Sequence, residues 1–400
     1  MIDYDPFDAT AAADPYPLYD ALRDDEPMFW AADTGTFVLS RYDDVAWALA
    51  DTDLFSSDAM RGVLLGYETG RGTERLPRAD AVGNLVSVDP PDHSVLRRIV
   101  NRGFTPKRMA EWHDRIDAMA RELISAVPVD GPFDVVAALA APLPVQVIVE
   151  LVGGEASEAD RFRSWADAMT RVMTGSARTT GFAPEEMMAV LQLADDLGRR
   201  IDERAENPRD DLLTTLVRAQ GDDVLLREEA VGFAALLLFA GTETSTNLIG
   251  NAAAALVDRP AELARLRDDP SRMSAVIEET LRWEAPVQYV FRRSTREFSR
   301  HGVDVPVDST VTLLLGAANR DPRRWGSDAA EFDPDRDTTG HVAFGFGPHF
   351  CLGAALARLE TTSALIHLLP LLVGAKRDDG GDDWVDSVQF RGRRRLELVR

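Results

Sequence analysis

Residues 227–257 read as one uninterrupted helix, closed by Asp258-Arg259-Pro260, because proline cannot continue a helix without losing a hydrogen bond and clashing with the turn before it. At ~1.5 Å per residue such a helix is about 45 Å long. It crosses the whole molecule, and every other element has to be arranged around it. Helical patterns also fit residues 15–24, 42–50, 92–123 with a break at Gly103 to Pro106, 142–151, 158–174, 184–207, 209–219, 271–283 and 354–372. Strand-like segments are Phe37 to Ser40 and a late group at 287–293, 303–305, 310–315 and 396–399. Residues 56–88 lose periodicity and carry Gly62, Gly66, Gly70, Gly72, Pro77 and Gly83. They read as a long loop, and loops of that length inside compact domains usually carry function. The expectation is a mainly α chain with small β-sheets at one side, forming one domain over residues 1–400.

Composition narrows the function classes. A formal charge of −23 argues against nucleic acid, which demands a basic face for its phosphates, and against an anionic lipid surface. The acidic start, Met1-Ile2-Asp3-Tyr4-Asp5, lacks the basic-then-apolar layout of a signal peptide. The longest apolar run, Val231 to Ala240, is too short to span a bilayer. One cysteine excludes an internal disulfide framework. A soluble, cytoplasmic chain without a membrane partner is expected.

That cysteine, Cys351, lies in Phe344-Gly345-Phe346-Gly347-Pro348-His349-Phe350-Cys351-Leu352-Gly353, at the start of the 354–372 helix. The positive end of a helix and its unpaired amides favour thiolate over thiol. Gly347 and Gly353 let the backbone bend and a flat ring system approach, while Phe344, Phe346 and Phe350 would keep water from a metal–sulfur bond. Two other readings stay open on chemistry alone. One is a small buried hydrophobe; the other is a nucleophilic thiol with His349 as its base.

Three further constellations stand out. Ala240-Gly241-Thr242-Glu243-Thr244-Ser245-Thr246-Asn247 puts a polar notch into the middle of the long helix, where Gly, Ser and Thr are poor helix formers. Apolar residues flank it on both sides, so the notch is buried and needs partners or a purpose. Glu279-Thr280-Leu281-Arg282 places a carboxylate and a guanidinium three residues apart on one helix. His93 and Arg97, four apart in Asp89-Pro90-Pro91-Asp92-His93-Ser94-Val95-Leu96-Arg97-Arg98, share one helix face.

Together these segments resemble the bacterial cytochrome P450 family. Phe344, Gly347, Cys351 and Gly353 fit its signature Phe-x-x-Gly-x-x-x-Cys-x-Gly, and Ala240, Gly241, Glu243 and Thr244 fit its Ala-Gly-x-Glu-Thr motif. The resemblance covers nearly the whole chain and implies that family's fold. Haem b would lie between the central helix (about 227–257) and the cysteine segment (344–372), with Cys351 as axial ligand of the iron. Ala240, Gly241, Phe344, Gly345 and Gly353 would line the haem, and His93, Arg97, Arg292 and His349 would hold its propionates. Arg293, adjacent to Arg292, competes for that role. Thr244 would hydrogen-bond the oxygen unit on iron, and Glu243 would pass protons from solvent. Glu279 and Arg282 would form a buried structural network with Arg336; Asp337 stands where the family often has an aromatic residue.

The activity so implied is a monooxygenase inserting one atom of dioxygen into a mostly hydrophobic small molecule, in secondary metabolism. Electrons would come from a ferredoxin and a ferredoxin reductase, with NAD(P)H acting only through them, on a monomeric enzyme. Arg97, Arg98, Arg102, Arg108 and Arg358 would form the docking face. A peroxide-dependent peroxygenase and a non-catalytic haem-binding sensor are the alternatives. The implied substrate pocket takes in Val63, Leu64, Leu65, Leu85, Val86, Met173, Leu237, Ala240, Val287, Val290, Phe291, Val388 and Gln389.

Overall fold

The computed structural model describes residue 11 and residues 13–60, 85–128, 131–175, 183–221, 225–378 and 383–399. The helices of more than one turn, in chain order, are α1 (Tyr16–Asp25), α2 (Tyr42–Ala50), α3 (Asp92–Val100), α4 (Pro106–Ser125), α5 (Pro142–Leu151), α6 (Ala159–Gly175), α7 (Pro184–Glu206), α8 (Leu212–Gly221), α9 (Arg227–Val257), α10 (Pro260–Asp268), α11 (Met273–Trp283) and α12 (Ala354–Leu372). The strands are β1 (Met28–Ala31), β2 (Thr36–Leu39), β3 (Phe55–Ser56), β4 (Phe133–Asp134), β5 (Tyr289–Ser294), β6 (Phe298–Arg300), β7 (Val303–Val305), β8 (Thr310–Leu314), β9 (Lys376–Arg377), β10 (Asp383–Trp384), β11 (Arg393–Arg395) and β12 (Glu397–Val399). The candidates Val63, Leu64 and Leu65 lie outside the described residues, as does the side chain of Met173.

The long helix α9 has the expected bounds. Glu228 and Glu229 in its first turn complement the positive end of the helix dipole. Its two halves belong to different cores. Residues Ala230 to Phe239 pack with α3, α5, α6, α7 and α8, whereas Leu248 to Val257 pack with α4, α11 and α12. The run Ala252 to Ala255 is fully buried, and small side chains there let neighbouring helices approach. The polar notch Gly241 to Asn247 falls at the join between the two cores.

The main sheet has the order β1-β2-β8-β5-β3, with β2 and β8 parallel and the remaining pairs antiparallel. It joins the N-terminal segment to the late strands, so the sheet forms one side of the molecule as expected. Several elements were not foreseen. Pro260 stops α9 and also opens α10, because proline is well placed in a first helical turn, whose amide has no intrahelical partner. Strands of two or three residues, such as β3 and β9, are too short to show a period of two.

Glu279 and Arg282 form the buried pair predicted for them; neither side chain is exposed. Arg282 donates to Glu279 through Nε at 2.7 Å and Nη2 at 2.6 Å, and to the carbonyls of Asn319, Ala329 and Glu331 at 2.7–2.9 Å. Glu279 also accepts the Asp333 amide at 2.8 Å. Arg336 joins the network as an ion-pair partner, its Nε 3.8 Å from Glu279, while its hydrogen bonds go to the Trp325 carbonyl and to Asp328. Backbone carbonyls supply the remaining acceptors around Arg282. Asp337 accepts the Thr339 amide at 3.0 Å in a local turn, which no aromatic residue could do.

Removing one partner of a fully buried ion pair strands the other, at a cost of about 3–5 kcal/mol. Arg282→Ala is expected to lower stability by that amount in chemical denaturation. A loss below about 1 kcal/mol, the range of an exposed pair, would contradict the buried assignment.

Candidate active site

The cysteine segment is a tight irregular turn made possible by two glycines in the left-handed region, Gly345 at φ 71° and Gly347 at φ 74°. The Gly345 amide bonds the Val342 carbonyl at 2.9 Å, the Phe350 amide bonds Gly347 at 3.0 Å, and the Cys351 amide bonds Phe344 at 2.9 Å. A Cβ on Gly347 would meet the Leu49 carbonyl oxygen at 3.0 Å, so the turn rests directly on the end of α2. The chain is thereby folded back so that Cys351 arrives three residues before α12. Burial pushes the Cys351 thiol up, while the Gly353 and Ala354 amides and the charges of Arg97 and Arg358 pull it back. A thiol with this mixture of burial and donors ionises more readily when a metal ion takes the place of its proton, which is released to solvent.

Four nitrogen-bearing side chains converge nearby. His93 and Arg292 are almost fully buried, at 2% and 4% exposure. The His93 and His349 rings lie 4.1 Å apart, centroid to centroid. His349 Nε2 is 3.0 Å from the Ser57 hydroxyl, and burial together with Arg292, His93 and Arg97 pushes His349 down to about 3. Burial lowers Arg292 to about 10, with Asp89 opposing. Burial, with Arg97 adding to it, lowers His93; burial also lowers Arg97, against the pull of Cys351. Among the described residues, His93 Nε2 and Arg292 Nε have no hydrogen-bond partner. Arg293 lies instead within 3.6–3.9 Å of Asp308 and Asp58, which separates it from Arg292. Buried donors of this kind are costly unless an acceptor meets them, and the acceptor they fit is anionic.

On α9 the notch has the geometry that its composition invites. Thr242 and Thr244 each donate their hydroxyl to the carbonyl four residues back, Leu238 and Ala240, at 2.7 Å. Such bonds compete with the helix ladder and loosen it. Ala240 is exposed and Thr244 half-buried one turn further on, between buried Phe239 and buried Ser245, so this face of the helix is left uncovered by its neighbours. Gly241 sits where a Cβ would come within 2.8 Å of Ile148 Cδ1 on α5. Burial raises Glu243; the Asn247 amide, bonded at 3.2 Å, opposes this, and Asp167 adds to it.

The remaining pocket candidates divide among the cores. Leu85 is buried beside Val86, Leu237 and Val287, Val290 packs beneath the main sheet, and Phe291 and Val388 meet the α1 side. Gln389 accepts the Gln288 amide through its carbonyl at 2.8 Å, which ties the turn before β11 to the start of β5.

Those features meet in comparison with known proteins. A family model described as Cytochrome P450 matches residues 185–371. Cytochrome P450 107B1 of Saccharopolyspora erythraea is 38% identical over 401 aligned residues, covering 98% of this chain and 96% of that protein. This chain belongs to the cytochrome P450 family. Cyclomarin C epoxidase CymV of Salinispora arenicola is 37% identical, with 94% of each chain covered. The structure of a cytochrome P450 from Chondromyces apiculatus superposes with a TM-score of 0.87 at 32% identity, over 100% of this chain and 98% of that one. As a P450 it is a monooxygenase and an oxidoreductase, and its family implies haem with a cysteine thiolate, a small-molecule substrate, dioxygen and redox partners. No helix among the described residues is long and apolar enough to cross a membrane.

The residues present fit haem. Its two propionates would be the anionic acceptors that the stranded His93 and Arg292 nitrogens need, and Cys351 is the chain's only cysteine. Every propionate-binding candidate is thus brought to one place, and the docking candidates are not. Arg108 is paired with Asp210 and Arg358 with Glu278, while Arg97 faces the sulfur. Only Arg98 and Arg102 of that group are exposed.

Glu360, on α12, escaped the sequence reading. It is 1% exposed, and burial pushes it up to about 8 against the nearby Ser245 hydroxyl. Its signal was a carboxylate in the stripe Leu356, Glu360, Ala364, Leu368, which is otherwise apolar. Between the ordinary 4.5 and about 8 the folded chain holds a proton on Glu360 that the unfolded chain has released. Its contribution to stability therefore falls as pH rises through that window. Glu360→Gln, which cannot titrate, should flatten the decline of the melting temperature across the window; parallel curves for the two proteins would refute the assignment.

Proposed function

We propose that Cys351 is the axial ligand of haem b, and that the enzyme oxygenates a largely apolar secondary metabolite in the cleft beside Ala240 and Thr244. The observation that carries this reading is the convergence of His93, Arg97, Arg292 and His349, with buried nitrogens lacking partners, on the one cysteine of the chain. His93 and Arg97 reach it from α3, Arg292 from β5 and His349 from the cysteine segment itself.

Bound haem supplies the redox chemistry: with two electrons and two protons from outside, one atom of dioxygen enters the substrate and the other leaves as water. The chain supplies position, dryness and protons. Phe344 and Gly345 shape the cysteine turn, and Gly353 presents its amide to the sulfur. Gly241 lets α9 lie close on α5, and Thr244, its hydroxyl bonded to the Ala240 carbonyl, stands one turn on from exposed Ala240 at the cleft. Glu243 holds a proton readily because burial raises it. With Oε1 accepting from Asn247, Oε2 is the atom that carries the proton toward Thr244 Oγ1. Leu237 and Val287 give the cleft its apolar character.

Electrons arrive singly from a ferredoxin, reduced by a ferredoxin reductase that draws on NAD(P)H, and the enzyme acts as a cytoplasmic monomer of one domain. Arg98 and Arg102 offer an acidic donor its cationic contacts. The similarity to an enzyme named as the epoxidase of cyclomarin C supports a secondary metabolite as substrate.

Cys351→Ala is expected to abolish the red-shifted Soret band of the reduced carbon monoxide complex, and a band that persists would end the ligand assignment. Thr244→Ala should keep haem and substrate binding yet divert most reducing equivalents into hydrogen peroxide. Product formation matched to electron consumption in that variant would remove Thr244 from proton delivery.

A further inference from the structure

A carboxylate, a guanidinium and an imidazole meet beside the cysteine segment and have no part in the chemistry above. Glu278 of α11 accepts two bonds from Arg358 of α12, from Nε at 2.6 Å and from Nη2 at 2.8 Å. A third comes from His341. The Ala343 amide can only donate, and it donates to His341 Nδ1 at 3.2 Å. The ring proton therefore sits on Nε2 and is directed at Glu278 Oε2, 3.1 Å away. Burial would raise the Glu278 carboxyl, but the bonds from Arg358 and His341 outweigh it and hold it at about 2. The carboxylate is ionised, and Arg358 is compensated.

The same guanidinium lies over the Phe344 ring, 4.6 Å from its centroid, and the Phe344 carbonyl accepts the Cys351 amide at 2.9 Å. Arg358 is thus coupled to the cysteine twice: through a ring and a backbone bond, and through its charge, since it and Cys351 each favour the ionised form of the other. The sequence places Arg358 among docking residues, yet its fork is filled from within the chain. A bidentate guanidinium–carboxylate bond fixes geometry as well as charge.

We propose that Glu278 and Arg358 form a charge-compensated clamp that positions Phe344 against the cysteine turn and sets how strongly the Cys351 sulfur donates to iron bound there. Outer groups around a metal ligand tune the metal through orientation and local charge. Both residues are positioning residues, and the inference rests on the haem-thiolate reading above. Stripped of Glu278, Arg358 leaves an uncompensated positive charge near the sulfur, which favours the reduced, more negative iron centre. Stripped of Arg358, Glu278 leaves a negative charge, which disfavours it. The two losses act in opposite directions, and damage to packing has no reason to do so.

The test is the reduction potential of haem-loaded, substrate-free enzyme, measured by spectroelectrochemistry on Glu278→Gln, Arg358→Gln, the double variant and Arg358→Lys. Glu278→Gln is expected to shift the potential upward and Arg358→Gln downward. The double variant should lie between them, and Arg358→Lys, which keeps the charge, should stay nearer the parent than Arg358→Gln. Shifts of the same sign, or no shift in either single variant, overturn the clamp. An unchanged potential with a slower first electron transfer overturns it too, and returns Arg358 to docking. If Arg358→Gln does not retain haem, Glu278→Gln must still rise and Arg358→Lys must still stay near the parent. The carbon monoxide complex separates the two levels: its red-shifted Soret band in the parent sustains the haem-thiolate reading whatever the potentials do, and its absence there defeats that reading first.

Discussion

Arg282 ties two distant stretches of backbone, at Asn319 and at Ala329 to Glu331, to its own helix in one bundle of hydrogen bonds, and the site depends on that gathering. Its guanidinium binds Glu279 on one side and the carbonyls of Asn319, Ala329 and Glu331 on the other. Regular secondary structure satisfies its own backbone groups, but the stretch from 319 to 343 contains little of it and so needs acceptors and donors from elsewhere. Asn319 passes the support onward, since its side-chain oxygen accepts the Val342 amide at 2.8 Å. From Val342 the chain enters the cysteine turn. The placement of the sulfur thus traces back through Asn319 to a buried ion pair that touches no substrate.

Charge is distributed by sign and depth. The chain carries a net −23, yet the buried charged groups near the cysteine, Arg292 and Arg97, are cationic, and the imidazoles of His93 and His349 beside them are kept from charging by burial. The acidic excess lies mainly on the exterior, where solvent screens it. A fold with this division attracts two buried carboxylates into its interior while repelling polyanions from its surface. The buried acids fall into two kinds. Glu279 and Glu284 are matched by arginines, whereas Glu243 and Glu360, both against the α9 notch, meet no cationic partner among the described residues and are raised by burial.

Much of this was legible in the sequence. The bounds of α2, α5 and α9 follow from hydrophobic period and proline punctuation, and the cysteine turn follows from its glycines. Residues of one family motif stayed together in space because each motif is local: Ala240 to Thr244 on one helix, Phe344 to Gly353 in one turn. What could not be read were pairings between distant segments. Nothing in Asp210 announces that it will take Arg108, nor in Glu278 that it will take Arg358, so a basic face counted from sequence shrank to Arg98 and Arg102. Arg336 reaches Glu279 as an ion pair, but the hydrogen bonds around Glu279 and Arg282 come largely from carbonyls and an amide, which every residue carries and no pattern reveals. Glu360 was missed because a single carboxylate in an apolar stripe is a weak signal beside the strong one of Cys351.

The cysteine turn rests on the end of α2 through Gly347, and His349 meets Ser57 and His93, all far upstream. In chain order, the walls of the site are made first and its ligand near the end. A fragment that stops short of residue 347 would keep His93, Arg97 and Arg292 yet lack both His349 and the cysteine, so the site is completed only when segments about 250 residues apart in sequence meet.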